Sequence, residues 1–345
     1  MRAIVLASGA ATRLSPLSSY VPKALAPVAN QPVLGHELIA LREAGITDVG
    51  ITHGPHTRDV VEYFGDGGDY GVTITWLWEP EPLGTGGALR FNRDFFAGEP
   101  AVVVPADIIT DIDIPALIAQ HQAAPCGVTL AVAPRDLRQW NGDIVVAEGS
   151  SGTSYHFKPR ASVGSDLGSL GTWVVDPAVL DLIPDGFVDF SGGFLPRLPA
   201  PGCALGVFNA GIVYQRDFGE FPSYHAGNLE VISGRACISL PEGAAEGAVP
   251  GIVRGPVLIG ADAVIEPGAR IYGPAVIGPA AVIRPGAEVV SSVVLPGAVI
   301  PAGMLAAHGV FGDPQSITTV MTRYRDGWSR CPGRLAAPAA ELAAA

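Results

Sequence analysis

The chain has 345 residues, 48% hydrophobic and 16% charged, enough apolar material for one large α/β domain plus a smaller one and too much for a disordered chain. A net charge of −12 argues against a nucleic-acid surface, and no run approaches the ~20 apolar residues of a membrane helix, so neither nucleic acid nor membrane is an expected partner. Cys126, Cys203, Cys237 and Cys331 are scattered without a Cys-x-x-Cys pair, and Met1–Ala7 lacks the apolar length of a signal peptide; both fit a cytoplasmic protein.

Residues 3–7 form a continuous apolar run ending in a small-residue loop, as a buried parallel strand does. Helical spacing follows over 33–44, with Leu34, Leu38, Leu41 and Ala44 on one face and Gly45 at the C-cap. Strands are expected at Val49–Thr52, 72–78, Ala101–Pro105 and Val128–Ala133, with a helix over 115–122. The alternation predicts an α/β fold, a doubly wound, mostly parallel sheet whose ligands gather at the carboxyl ends of the strands.

From Val253 the period changes. Val253, Ile259, Ile265, Ile271, Ile277, Ile283, Val289 and Leu295 recur every six residues, with Val257, Ala263, Ala269, Ala275, Ala281, Ala287, Val293 and Val299 four residues after each. Neither 3.6 nor 2.0 generates a six-residue repeat, and the intervening glycines and prolines exclude a helix. The repeat specifies a β-helix with triangular coils. The expected division is 1–235 for the α/β domain, 236–252 for a linker, 253–303 for the β-helix and 304–345 for a C-terminal tail, mobile from Cys331.

Chemistry concentrates in Leu6-Ala7-Ser8-Gly9-Ala10-Ala11-Thr12-Arg13-Leu14-Ser15-Pro16-Leu17 and Val21-Pro22-Lys23-Ala24-Leu25. Small residues let backbone N–H groups approach a triphosphate, and two cations ten residues apart can neutralise it. The loop is neither a Walker A nor a Gly-x-Gly-x-x-Gly motif. Lys23 and Lys158 are the only lysines in the chain.

The whole string resembles the signature of the sugar-1-phosphate nucleotidyltransferase family, Leu-Ala-Gly-Gly-x-Gly-Thr-Arg-Leu-x-Pro-Leu followed by Pro-Lys-Pro-Leu. The match continues through Glu79–Leu89, Asp107–Asp113 and Phe157-Lys158-Pro159, and covers roughly residues 1–235. The appended repeats resemble the mannose-1-phosphate guanylyltransferase branch, and hexapeptide-repeat proteins imply a left-handed β-helix.

The resemblance implies that Arg13 and Lys23 are catalytic, holding the triphosphate and the phosphoryl groups near the attacking oxygen. It implies that Leu6, Ala7, Ser8, Gly9, Glu79, Gly84 and Thr85 bind the nucleotide. Gly142, Phe157, Lys158 and Ser169 would then bind the sugar phosphate, and Asp107 and Asp217 would hold Mg²⁺. Asp217 matches a Trp-x-Asp-x-Gly-Thr motif whose flanking Trp and Thr are missing here. Glu79 stands where uridylyl- and thymidylyltransferases carry glutamine. A carboxylate only accepts, which favours the adjacent N1–H and N2–H donors of guanine and so GTP; backbone groups around Gly84 and Thr85 are the other base readers.

Several positions depart from the family. Ser8 and Ala10-Ala11 replace loop glycines, and Ala106 replaces the glycine before Asp107. Phe157 replaces a glutamate that reads sugar hydroxyls, and Ser169-Leu170-Gly171-Thr172 replaces Asn-Ala/Thr-Gly. The acceptor is therefore expected to be a deoxysugar, a modified hexose or a cyclitol (valienol-like) 1-phosphate, unless Gly142 or Asp143 reads the hydroxyls of ordinary mannose. The rival readings are a non-catalytic regulatory homologue, the same chemistry with UTP, dTTP or ATP, and a hexapeptide-repeat acyltransferase. The last lacks a histidine anywhere in 253–307. The open ends of the β-helix point to a homo-oligomer, dimer or tetramer.

Overall fold

The computed structural model describes residues 1–323 except 10–11, 16, 124–125, 137–139, 141, 149–151, 199–202 and 241–250. Cys331 and the alanine-rich tail lie outside the described residues, as do Ala10 and Ala11.

The strand Arg2–Leu6 lies at the centre of a nine-stranded sheet, parallel to Asp48–His53 on one side and Ala101–Pro105 on the other. Thr73–Trp78 extends this parallel block at its outer edge. Ala3, Ile4 and Val5 are fully buried because both faces of the sheet are covered, which is why the run is apolar without alternation. The helix Val33–Glu43 buries Leu34, Leu38 and Leu41, and Gly45 takes the left-handed φ of +80° that its cap requires.

Past Ala101–Pro105 the sheet becomes mixed. Leu167–Val175 runs antiparallel to Ala101–Pro105 and to Val128–Pro134, and its first residues pair with Ile144–Glu148. Ile144–Glu148 and Gly152–His156 form a hairpin, while Leu205–Asn209 lies parallel to Val128–Pro134. The polar run Ser154-Tyr155-His156 carries no apolar period, so this hairpin had no signature in the expected alternation.

The repeats build a left-handed β-helix with three faces of parallel strands. Two faces have four strands each, from Ile252–Arg254 to Leu305–Ala307 and from Val257–Ile259 to Val310–Phe311; the third stacks Val264–Ile265, Val282–Ile283 and Val299–Ile300. Two corrections to the six-residue count follow. Ile259 stacks on Ile277 after eighteen residues, but Ile277 stacks on Val294 after seventeen. One residue is dropped near Ser291, which takes φ +44°, and buried Ser292 fills the shortened corner by donating its hydroxyl to the Val290 carbonyl at 2.7 Å. Every later position shifts, so Val294 and Ile300 point inward while Val299 is 52% exposed. The ladder also runs on to Phe311, past the boundary expected at 303, and the helix Ile317–Arg323 then buries Ile317 and Met321.

The segment 236–240, at the start of the expected linker, is packed against the α/β domain. Ala236 and Ile238 are buried, the Cys237 N–H donates to Asp111 at 3.1 Å, and the Ser239 hydroxyl donates to Glu43 at 2.6 Å. The β-helix docks through the turn at Ala29-Asn30 and the helix Phe221–Ile232. The Asn30 side chain donates to the Ile277 carbonyl at 2.9 Å, and His225 Nε2 donates to the Ser291 carbonyl at 3.0 Å.

Candidate active site

Four parallel strands end on one edge of the sheet, and the loops that leave them carry most of the candidate residues. Leu6 closes the first strand; its carbonyl accepts from the Ala106 N–H at 3.1 Å, which ties the first loop to the residue before Asp107. The Ala7 N–H donates to the Thr52 hydroxyl at 3.0 Å, at the end of the neighbouring strand. Gly9 is exposed, and a Cβ there would meet nothing within 4 Å, so this position does not demand glycine for space. A cavity of about 510 Å³, a size usual for small-molecule sites, opens beside the loop, lined by Ala7, Gly9, Tyr20, Lys23, His56 and Thr57 among others.

Lys23 starts a short 3₁₀ turn that follows Pro22. Its ammonium contacts the Asp107 carboxylate and stands 3.3 Å from Asp217 Oδ1. The two aspartates are 110 residues apart in the chain. They meet because Ile108–Thr110 pairs antiparallel with Gln215–Asp217, placing Asp217 opposite Ile108, and because the Phe218 N–H donates to the Asp107 carbonyl at 2.9 Å. Gly219 permits the arrangement: a Cβ there would fall 2.5 Å from Lys23 Nζ and 2.7 Å from Asp217 Oδ1. Burial raises the pKa of Asp107, Lys23 pulls it back down, and the neighbouring charge of Asp217 raises it further.

Two carboxylates converging on one cation are hard oxygen donors, the set that suits Mg²⁺ completed by water and phosphate oxygens. Among the described residues no group of three or more His, Cys, Asp or Glu side chains could hold a metal by itself, so the remaining ligands would come from substrate and solvent.

Arg13 lies at the mouth of the site, 69% exposed, with its guanidinium 2.7 Å from Glu220. Glu79 follows the edge strand and is 1% exposed, with no well-formed hydrogen bond on either carboxylate oxygen. Burial raises its pKa, and the facing Ser8 and Thr52 hydroxyls offset part of that shift. Gly84 takes φ +67° at the start of the helix Gly84–Phe91, where a Cβ would press 2.6 Å from the Val188 carbonyl oxygen. The Thr85 hydroxyl accepts from the Phe190 N–H at 2.8 Å, so its side chain holds the 188–190 segment.

The other four candidates gather around Asp143. Gly142 precedes it, and a Cβ there would strike the Trp140 indole at 2.6 Å. The Lys158 N–H donates to Asp143 Oδ1 at 3.1 Å, and the Ser169 N–H donates to the Asp143 carbonyl at 2.9 Å. The Tyr155 hydroxyl donates to Asp143 Oδ2 at 2.5 Å. Burial raises the Asp143 pKa against these hydrogen bonds. Lys158 adopts φ +40°, an unusual conformation for a non-glycine residue, and its ammonium stands 5.2 Å from the centre of the half-exposed Phe157 ring.

Residues 2–233 match the nucleotidyl transferase family, and residues 256–291 match the bacterial transferase hexapeptide (six repeats) family. The chain belongs to the nucleotidyl transferase family. It is 34% identical over 206 residues to "Probable mannose-1-phosphate guanylyltransferase 3" of Oryza sativa subsp. japonica, covering 58% of this chain and 56% of that one. The chain thus spans about half the length of the curated relative it matches there. It is also 32% identical over 193 residues to the N-acetylmuramate alpha-1-phosphate uridylyltransferase of Neisseria meningitidis serogroup B, covering 54% of this chain and 80% of that one. The fold matches HddC from Yersinia pseudotuberculosis at a TM-score of 0.57 and 18% identity, over 67% of this chain and 99% of that one.

Glu220, Thr52, Gly219 and Gln215 also shape the site. Gln215, Gly219 and Glu220 lie inside the degenerate motif around Asp217, but each acts through a contact with a residue distant in sequence, which the motif does not encode, and no motif marked Thr52.

Proposed function

We propose that the chain transfers a nucleotidyl group from a nucleoside triphosphate, GTP by preference, to a sugar or pseudo-sugar 1-phosphate with release of pyrophosphate. A phosphate oxygen of the acceptor attacks the α-phosphorus in line, and the bond to the β-phosphate breaks with its electron pair leaving on pyrophosphate. The observation that carries this reading is the convergence of Lys23, Asp107 and Asp217 on one point at the carboxyl edge of the sheet.

Asp107 and Asp217 would hold Mg²⁺, which when bound neutralises charge on the phosphate oxygens. Lys23 is supported as the cation beside the reacting phosphoryl group, since it already lies between the two carboxylates. Arg13 exchanges Glu220 for the triphosphate. Lys158, which has no ion pair with a carboxylate among the described residues, takes the acceptor phosphate. Transfer of this kind needs positioning and charge neutralisation rather than a covalent intermediate.

Preference for GTP rests on Glu79. A buried carboxylate faced only by the Ser8 and Thr52 hydroxyls, with no well-formed hydrogen bond, can accept from two adjacent N–H donors, and guanine supplies that pair at N1 and N2. We further propose a homo-oligomer, supported by the outward ladder of Val264, Val282 and Val299 on one face of the β-helix.

The test is pyrophosphate release with Mg²⁺, the four NTPs and dTTP, against mannose-, glucose- and cyclitol 1-phosphates. Turnover highest with GTP is expected. Silence across the panel, without nucleotide binding, overturns the transferase reading in favour of a non-catalytic homologue.

A further inference from the structure

Arg135 directly follows the strand Val128–Pro134. That strand runs parallel to Ala101–Pro105, because both are antiparallel to Leu167–Val175, so Arg135 leaves the sheet on the same edge as Asp107. Its Nη2 donates to Gln215 Oε1 at 2.7 Å, and the Gln215 amide donates to the Leu170 carbonyl at 2.9 Å. Gln215 stands two residues before Asp217 in one strand, and alternation puts both side chains on one side of it. Through Gln215 the guanidinium is tied both to the strand that carries Asp217 and to the segment that borders Asp143.

Arg135 differs from the other cations in its partners. Among the side chains described, every other lysine or arginine that is not exposed pairs with a carboxylate, as Arg216 does with Glu230 and Arg90 with Asp185. The Arg135 guanidinium meets only neutral groups, the Gln215 amide and the Trp140 indole, whose ring centre lies 5.0 Å from Cζ. Its Nε is buried with no hydrogen-bond partner, and its Nη1 has none among the described residues. Burial pushes its pKa down, and no carboxylate offsets that shift. The chain has 33 acidic residues against 21 basic ones, so the missing counter-charge is not a matter of supply.

Two glycines make room for the stacked pair. A Cβ at Gly168 would fall 2.6 Å from Arg135 Cγ and 2.9 Å from the Trp140 ring, and one at Gly142 would fall 2.6 Å from the same ring. The planar fork is therefore fixed in place before a ligand arrives. A part-buried cation without a counter-charge costs stability, and that cost is recovered when an anion binds. The guanidinium fork matches the paired oxygens of a phosphate or a carboxylate.

We propose that Arg135 is an oxyanion-binding residue of the acceptor pocket, taking either the 1-phosphate or a carboxylate carried on the acceptor ring. The proposal rests on the transferase reading above for the identity of the acceptor, whereas anion binding at Arg135 can be measured without turnover.

The experiment measures calorimetric binding of mannose 1-phosphate and mannuronate 1-phosphate, without nucleotide, to the wild type and Arg135→Gln, with melting temperatures recorded for both proteins. Pyrophosphate release with GTP and Mg²⁺ is followed in parallel. Arg135→Gln is expected to bind at least one of the two acceptors tenfold more weakly, to melt no lower than the wild type, and to keep its KM for GTP within twofold. An equal loss for both acceptors assigns Arg135 to the 1-phosphate, and a loss confined to mannuronate 1-phosphate assigns it to the carboxylate. Affinities that match between the two proteins, or no binding of either acceptor by the wild type, overturn the proposal. If Arg135→Gln melts lower, Arg135→Lys decides: affinity recovered with the charge upholds the site, and affinity lost as in the glutamine variant overturns it. Binding that depends on Arg135 in a chain that releases no pyrophosphate upholds the anion site while the transferase reading fails.

Discussion

Glu220 holds Arg13 at 2.7 Å across the mouth of the cleft, joining the first loop of the chain to the start of the helix that follows Asp217. On the function proposed above, a triphosphate would compete with that carboxylate for the guanidinium. Both partners are more than half exposed, and pairs of this kind couple by only ~0.2–1 kcal/mol. Glu220→Gln is therefore expected to lower the KM for the nucleotide by no more than a few-fold at low salt, with the difference fading as ionic strength rises. Steady-state kinetics across a salt series checks it, and a raised KM would mean that Glu220 positions Arg13 rather than competing for it.

In the proposed function Asp217 contributes through charge. Asp217→Asn should reduce turnover by roughly 10²–10³, the scale of losing one preorganised electrostatic contact, and should move the Mg²⁺ dependence to higher concentration. Initial rates of pyrophosphate release over a Mg²⁺ titration measure both effects. An unchanged Mg²⁺ dependence would remove Asp217 from the metal site.

Lys158→Ala should raise the KM for the acceptor tenfold or more while the KM for the nucleotide stays within about twofold. The split is the diagnostic quantity, because removal of uniform binding to one substrate appears in that substrate's KM. Equal rises for both substrates would contradict its assignment to the acceptor phosphate.

Glu79→Gln should shift preference from GTP toward UTP or dTTP, and it carries a stability signature as well. The native pKa of Glu79 is raised above 4.5 by burial. Below about pH 4.5 the carboxyl is protonated in folded and unfolded chains alike, so no penalty applies. As pH rises through the folded value, the native state retains a buried charge that the unfolded state places in water, and the wild type loses stability relative to the amide. The variant should melt higher at pH 8, at ~2–4 °C per kcal/mol recovered, and the gap should close toward pH 4.5. Scanning calorimetry at several pH values decides it; a pH-independent gap would mean that the carboxylate is not buried alone.

Val299→Asp and Val282→Asp place charge on the outward face of the β-helix without touching its interior. Sedimentation velocity should show a smaller species if that face joins two copies. An unchanged mass would assign the ladder no role in assembly.

What was legible in the sequence depended on how locally each feature is determined. Leu34, Leu38 and Leu41 mark a helix because their period is a property of one segment, and the strand at Ile4 is apolar because both faces of the sheet are covered. Lys23 and Asp107 sit in strong local motifs. Asp217 was identifiable through a degenerate motif, but its pairing with Ile108, which brings it to Lys23, is a long-range register that no local pattern encodes. Glu79 was readable as a candidate base reader, whereas the hydroxyls that face it, Ser8 and Thr52, come from the first loop and a neighbouring strand. The shortened coil at Ser291 was missed because a six-residue count accepts both Leu295 and Val299 as members, although the residues that continue the inward stacks of Ile277 and Ile283 are Val294 and Ile300. Phe157 stood out only as a departure; that it rests on Gly192 required the fold of the 190–194 turn.

The helix Phe221–Ile232 has two obligations. It begins four residues after Asp217, and farther along it lies against the strands of the β-helix, with His225 bonded to Ser291 and Asn228 accepting from the Ala29 N–H at 2.8 Å. The repeats therefore act as a splint on the α/β half of the molecule. A chain cut short before them would bare the helix on its inner side, four residues beyond the aspartate that faces Lys23.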